Sequence, residues 1–399
     1  MALSISFTDI FTSFIPYLVT VMAWWSFLVL VCVVLVVSQK NHFVFGEPQV
    51  PCYFVFGDSL SDVGNNNDLL TTAKSNYAPY GIDYPEGPTG RFGNGRILVD
   101  IIAELLGFEK SPPPYAYTRG VDILKGVNYA SGGAGILNET GRHMGDEIPM
   151  DEQLQNHKKI VTKIVKQFGN DKSLAANYLA KCIYTVTIGS NDYLNNYFLP
   201  QFYPTSREYT PDQFATLLFQ RYSQQLQQLY DQGARKVGVF GLGLLGCTIL
   251  VKEWYGIEGD LSCAENVTYA VSLFNERLES LVYNDDLVGA KFTYINFAGI
   301  GLTGFSALTG FTVLSTSCCT VRATDGACIP NENPCDNRGD YVFWDAVHTT
   351  EAANAIYATR AYSALLPTDA YPYDLQYLAT LDSSIESFQD QLKASLSSD

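Results

Sequence analysis

Histidine is scarce in this chain: 399 residues carry only His42, His143, His157 and His348, so chemistry that needs an imidazole has four candidates. Basic residues are also few, 25 Lys and Arg against 41 Asp and Glu. The resulting net charge of −16 opposes the phosphate backbone, and no nucleic-acid partner is expected. The nine cysteines contain no paired C-x-x-C knuckles, which disfavours zinc. Asp58, Asp62, Asn65, Asn66, Asn67 and Asp68 crowd together, but a calcium loop begun at Asp58 would lack the glutamate at its twelfth position. Ser131-Gly132-Gly133-Ala134-Gly135 has neither the G-x-G-x-x-G spacing nor a following P-loop lysine. No metal is expected. The G-x-S-x-G elbow is missing, as is any repeat at a fixed period.

What is present is enough apolar material for a large core, 47% hydrophobic residues with only 17% charged. Residues 14–37 contain no charge at all and are long enough to cross a bilayer as a helix. A signal peptide usually has a positive amino end, whereas only Asp9 lies upstream here, so signal peptide and uncleaved anchor both stay open; cleavage is the preferred reading. The expected organisation is an apolar leader at 1–46, one domain at 47–376 and a polar tail at 377–399. Without the leader, eight cysteines remain, four of them between 318 and 335, as in a disulfide-stapled loop. Cys247 with Cys263 and Cys328 with Cys335 are the pairings expected. Asn138-Glu139-Thr140 and Asn266-Val267-Thr268 are acceptor triplets for N-glycosylation at Asn138 and Asn266. Leader, cysteines and triplets together favour the secretory route and an extracellular location, with membrane attachment only through the leader if it is retained.

Short apolar runs at 53–56, 127–130, 183–188, 237–240 and 292–295 read as buried strands. Helical patterns lie between them at 97–106, 151–168, 211–230 and 265–282, which predicts an α/β fold with a mainly parallel five-stranded sheet. Ser59, Gly132-Gly133 and Gly189-Ser190-Asn191-Asp192 then follow the first three strands, at the carboxyl ends where ligands collect.

Ser59 in Gly57-Asp58-Ser59-Leu60 sits on a strand-to-loop turn, and His348 follows Asp345 by three residues. A serine hydroxyl is a weak nucleophile until a base removes its proton, and an acid partner must hold that base in one tautomer. Ser59, His348 and Asp345 supply these three groups. Among the other histidines, His42 adjoins the leader, His143 lies in a glycine-rich loop, and His157 precedes Lys158-Lys159 on an expected polar helix surface. Backbone N–H groups of Ser59 and Gly133 with the amide of Asn191 are the candidate oxyanion donors. Taken singly, each motif has a plainer reading as a turn, a cap or a core histidine.

Taken together, these segments resemble the plant-type GDSL esterase/lipases of the SGNH hydrolase superfamily. The similarity rests on five blocks in order: 56–66 around Ser59, 88–96, 128–135 around Gly133, 188–193 around Asn191, and 337–348 ending in Asp345 and His348. The resemblance spans about Pro51 to about Leu375. Thr349 stands where the family usually has proline, and Leu244-Leu245 replace prolines before Gly246-Cys247. It implies a flavodoxin-like three-layer α/β/α sandwich and cofactor-free hydrolysis of a carboxylic ester, with Ser59, Asp345 and His348 as triad and Gly133 and Asn191 as oxyanion donors. Relatives act on acyl lipids, acetylated wall polysaccharides or cutin precursors. An acyltransferase using the same triad, and a noncatalytic lipid- or carbohydrate-binding protein, are the alternatives.

Overall fold

The computed structural model describes residues 47–381 except 260–261, 283–286 and 288. The leader at 1–46 and most of the tail at 377–399 lie outside the described residues, as does His42. Strands β1 (Tyr53–Gly57), β2 (Ile183–Thr187), β3 (Lys236–Phe240) and β4 (Lys291–Ile295) form a parallel array, and the two-residue β7 (Ala370–Tyr371) joins β4 antiparallel. A second, small parallel pair consists of β5 (Val313–Ser317) and β6 (Tyr341–Phe343). The main helices are α1 (Leu98–Leu105), α2 (Met150–Gln167), α3 (Pro211–Asp231), α4 (Glu265–Leu281), α5 (Phe297–Gly304) and α6 (Glu351–Tyr362).

Alternation along the strands divides the core into two layers. Phe54, Phe56, Tyr184 and Val239 pack with Leu154 of α2, Phe214 of α3 and Phe274 of α4, while Tyr53, Val55 and Ile183 pack with Ile102 of α1 and Tyr357 of α6. Both faces of the sheet are therefore covered, giving the expected α/β/α sandwich and explaining why the strands read as continuous apolar runs. Helix α3 begins with Thr210, whose hydroxyl accepts from the Gln213 N–H while the Gln213 side chain accepts from Thr210 N–H, and Pro211 occupies the first turn.

The fifth strand differs from expectation. Residues 127–131 run parallel beside β1, with Tyr129 N–H donating to Val55 at 2.8 Å and Ser131 N–H to Gly57 at 3.1 Å, but they do not make a regular strand. Their outer edge meets Pro113–Tyr115, where prolines interrupt the donor row. The fifth strand of the sheet is β7, too short to leave a periodic signal.

Four disulfides hold the domain. Cys52–Cys182 ties the starts of β1 and β2, and Cys247–Cys263 forms as expected. The expected Cys328–Cys335 bridge does not form: Cys318 pairs with Cys335 and Cys319 with Cys328. Cys318 and Cys319 lie in a bend just past β5, and these neighbouring sulfurs take different partners.

Candidate active site

Strand β1 delivers Ser59 to the carboxyl edge of the sheet. A Cβ on Gly57 would lie 2.5 Å from the Thr187 carbonyl, so only glycine lets β1 close against the end of β2 before the chain turns. Ser61 and Asp62 N–H groups donate to the Asp58 carbonyl, and Leu60 N–H to Asp58 Oδ1 at 3.0 Å, fixing the turn that carries Ser59.

The other half comes from the turn between β6 and α6. Asp345 Oδ1 accepts from the Val347 and His348 N–H groups at 2.8 and 2.7 Å, folding the turn around its own carboxylate. Asp345 Oδ2 lies 2.7 Å from His348 Nδ1, and His348 Nε2 lies 2.7 Å from Ser59 Oγ. Burial would raise the Asp345 carboxyl, but the neighbouring His348 and the hydrogen bonds from His348 and Tyr80 outweigh it and hold the group below its ordinary value. An ionised Asp345 can only accept, so Nδ1 carries a hydrogen toward it and Nε2 faces the Ser59 hydroxyl. Phe92 packs against the imidazole with ring centroids 4.8 Å apart.

Asn191 and His348 line one cavity with Ser59; Gly133 is not among its lining residues. The Asn191 amide donates to the Ala134 carbonyl at 3.0 Å, and its Oδ1 accepts from Asn195, which orients the group beside the glycine loop. Gly133 has φ +83°, and a Cβ there would meet Met144 Cε at 2.8 Å.

Several site residues escape motif reading. Tyr80 is buried, donates to Asp345 Oδ2 at 2.7 Å and accepts from Cys328 N–H at 3.2 Å, linking the carboxylate to the stapled loop. Asp192 accepts from the Ile136 and Leu137 N–H groups and from Thr140, clamping the glycine loop; burial pushes it up to about 6. Asp62 accepts from Gly64, Asn65 and Gly132 N–H groups, and burial likewise lifts it to about 6. Asn65, Asn66 and Asn67 also donate to backbone carbonyls, whereas Asp68 accepts from the Tyr117 hydroxyl. Asx-rich spacing was their only sequence signal. Among the described residues no cluster of three or more His, Cys, Asp or Glu is arranged for a metal ion.

The remaining histidines stand apart. His157, expected on a polar surface, is instead fully buried on α2 against Phe54, Phe56, Tyr129 and Tyr184, with burial lowering it to about 3. The lysines that follow it point elsewhere on the helix, because neighbouring positions are about 100° apart. His143 stacks on Phe202 and meets the Tyr203 hydroxyl at 2.9 Å.

Comparison with known proteins gives one consistent picture. The family of GDSL-like lipase/acylhydrolase proteins matches residues 53–361. Three Arabidopsis thaliana proteins, each called a GDSL esterase/lipase, are 47%, 46% and 48% identical to this chain; the matches cover 88%, 88% and 85% of it and 99%, 98% and 94% of theirs.

Proposed function

The chain belongs to the GDSL-like lipase/acylhydrolase family and is a serine-dependent carboxylic ester hydrolase, and we propose that it acts through an acyl-enzyme on Ser59. The continuous path from Ser59 Oγ through His348 to Asp345, with 2.7 Å at each of its two contacts, is the observation that carries this reading. Ser59 Oγ attacks the ester carbonyl as its proton passes to His348 Nε2. The tetrahedral oxyanion is held by the Ser59 and Gly133 N–H groups and by the Asn191 amide hydrogen not engaged by Ala134. Collapse breaks the bond to the alkoxide, which leaves with the proton from Nε2. Water then attacks the acyl-enzyme, gives a proton to Nε2, and the acid departs as that proton returns to Ser59. Asp345 remains ionised and stabilises the imidazolium; Tyr80 is a positioning residue that holds Asp345.

The same reading sends the protein through the secretory pathway. Four disulfides suit an oxidising compartment, and Asn138 and Asn266 are both exposed, as glycan acceptors must be. No helix among the described residues is long and apolar enough to cross a membrane.

Purified protein should release p-nitrophenol from p-nitrophenyl butyrate, and Ser59→Ala and His348→Ala should not. Persistence of turnover in Ser59→Ala would overturn the assignment, and preferential capture of the acyl group by an added alcohol would make the enzyme a transferase.

A further inference from the structure

Beyond the reacting groups, the cavity at Ser59 changes character. It has a volume of about 190 Å³, and Leu244, Leu245, Phe297, Leu302, Phe305 and Leu314 supply an apolar wall. Val342, Phe343 and Val347 close the side next to His348. Besides Ser59, four hydroxyl side chains line the cavity: Thr248 donates to the Leu245 carbonyl at 2.8 Å and Thr349 to Asn354 at 2.7 Å, while Ser190 and Tyr357 are the other two. A sugar needs many convergent free donors and acceptors, whereas most of this lining is side chains that only displace water.

The wall is also fixed in place. Cys247–Cys263 lines the cavity and staples the segment carrying Leu244 and Leu245. Helix α5 approaches closely because Gly301 has no side chain; a Cβ there would stand 2.5 Å from the Tyr357 hydroxyl oxygen and 3.5 Å from Leu244 Cδ1. Leu302 lines the cavity yet is 73% exposed, so the apolar wall continues outward to solvent. A single exposed leucine is unremarkable, but one continuous with a fixed apolar cavity gives a chain entering from outside an unbroken path to Ser59.

We propose that this wall receives an aliphatic chain of the substrate ester, which makes lipid-like esters, rather than acetylated polysaccharide, the substrate class. The inference rests on Ser59 being the nucleophile that the cavity serves. Each methylene moved from water onto such a wall raises kcat/KM by about fourfold until the cavity is full, the equivalent of about 0.8 kcal/mol.

Two readouts test it. With wild-type protein, kcat/KM for p-nitrophenyl esters should climb at least about 100-fold from acetate to octanoate, and Leu302→Ser and Leu314→Asp should each lower the octanoate-to-acetate ratio. Methyl octanoate against octyl acetate tells whether the acyl or the alcohol half enters. In parallel, calorimetry with Ser59→Ala should detect decanoate binding that Leu314→Asp weakens about tenfold. Decanoate binding by a protein inactive on every ester would support the cavity and sink the acyl-enzyme reading. A profile flat or falling with chain length, no decanoate binding, or faster deacetylation of acetylated xylan would overturn the inference.

Discussion

The two ends of the cleft are built on opposite principles. At the reacting end, polar groups bind one another in sequence: Cys328 N–H to Tyr80, Tyr80 to Asp345, Asp345 to His348 and His348 to Ser59. At the far end, Leu244, Phe305 and Leu314 meet the cavity with nothing but carbon, and placement comes from a disulfide and a close helix approach. The first arrangement is directional and sensitive to one lost hydrogen bond. The second tolerates changes of shape and grades its effect with area. On the proposed reading, chemistry resides in one end and selectivity in the other.

Substitutions at the two ends should separate accordingly. The largest effect belongs to Ser59→Ala or His348→Ala, each lowering kcat by about 10⁴- to 10⁶-fold for every ester tested, because the nucleophile and its base act as one unit. Asn191→Ala comes next, with an expected loss of about 10²- to 10³-fold in kcat and little change in KM, since the oxyanion donor proposed here would act only as negative charge develops. Steady-state kinetics on acetate and octanoate esters checks both: a loss that differed strongly between these esters would blur the division of the cleft.

Tyr80→Phe should act through Asp345. The depressed pKa of Asp345 gives stability that is present above its unfolded value and lost as pH falls through the folded one. Without the phenolic donor the folded value rises, so the loss begins at higher pH. Melting curves across the acid range should show a destabilisation of about 1.5–3 kcal/mol at neutral pH that narrows in acid. An acid limb identical to wild type would mean that Tyr80 only fills space.

The smallest effect concerns Asp58, whose carboxyl is pushed up to about 7 by burial and whose Oδ2 has no hydrogen-bond partner. Here the sign is reversed. The folded chain keeps the proton while the unfolded chain loses it near the ordinary value of 3.8, so wild-type stability declines as pH rises from about 4 to about 7. Asp58→Asn can still accept from Leu60 N–H and removes this decline. Its melting temperature relative to wild type should rise by a few degrees, about 2–5 °C, between those pH values; a constant difference would contradict the assignment.

The division between the two ends also explains what could be read from the chain. Ser59 after an apolar run and His348 three residues past Asp345 were legible because each belongs to a local turn with its own residue grammar. Helices α1 to α4 were legible for the same reason, their periodicity being contained in one segment. Tyr80 left no such mark, since its bond to Asp345 spans 265 residues. The stapled loop was recognisable by composition, but choosing Cys318–Cys335 and Cys319–Cys328 over Cys328–Cys335 depends on side-chain directions. His157 was misjudged because adjacent lysines marked the helix as polar, while the side that carries His157 faces the aromatic core. Two-residue β7 was too short to leave a periodic signal, and the apolar wall could not be seen locally because its residues are brought together only by the fold.

The most direct test of the account is labelling of the purified, folded protein with a fluorophosphonate probe, followed by peptide mapping. The account predicts a single phosphonylated residue, Ser59, with labelling abolished in Ser59→Ala and His348→Ala. Labelling at another serine, or none in folded protein, would contradict an activated nucleophile at Ser59.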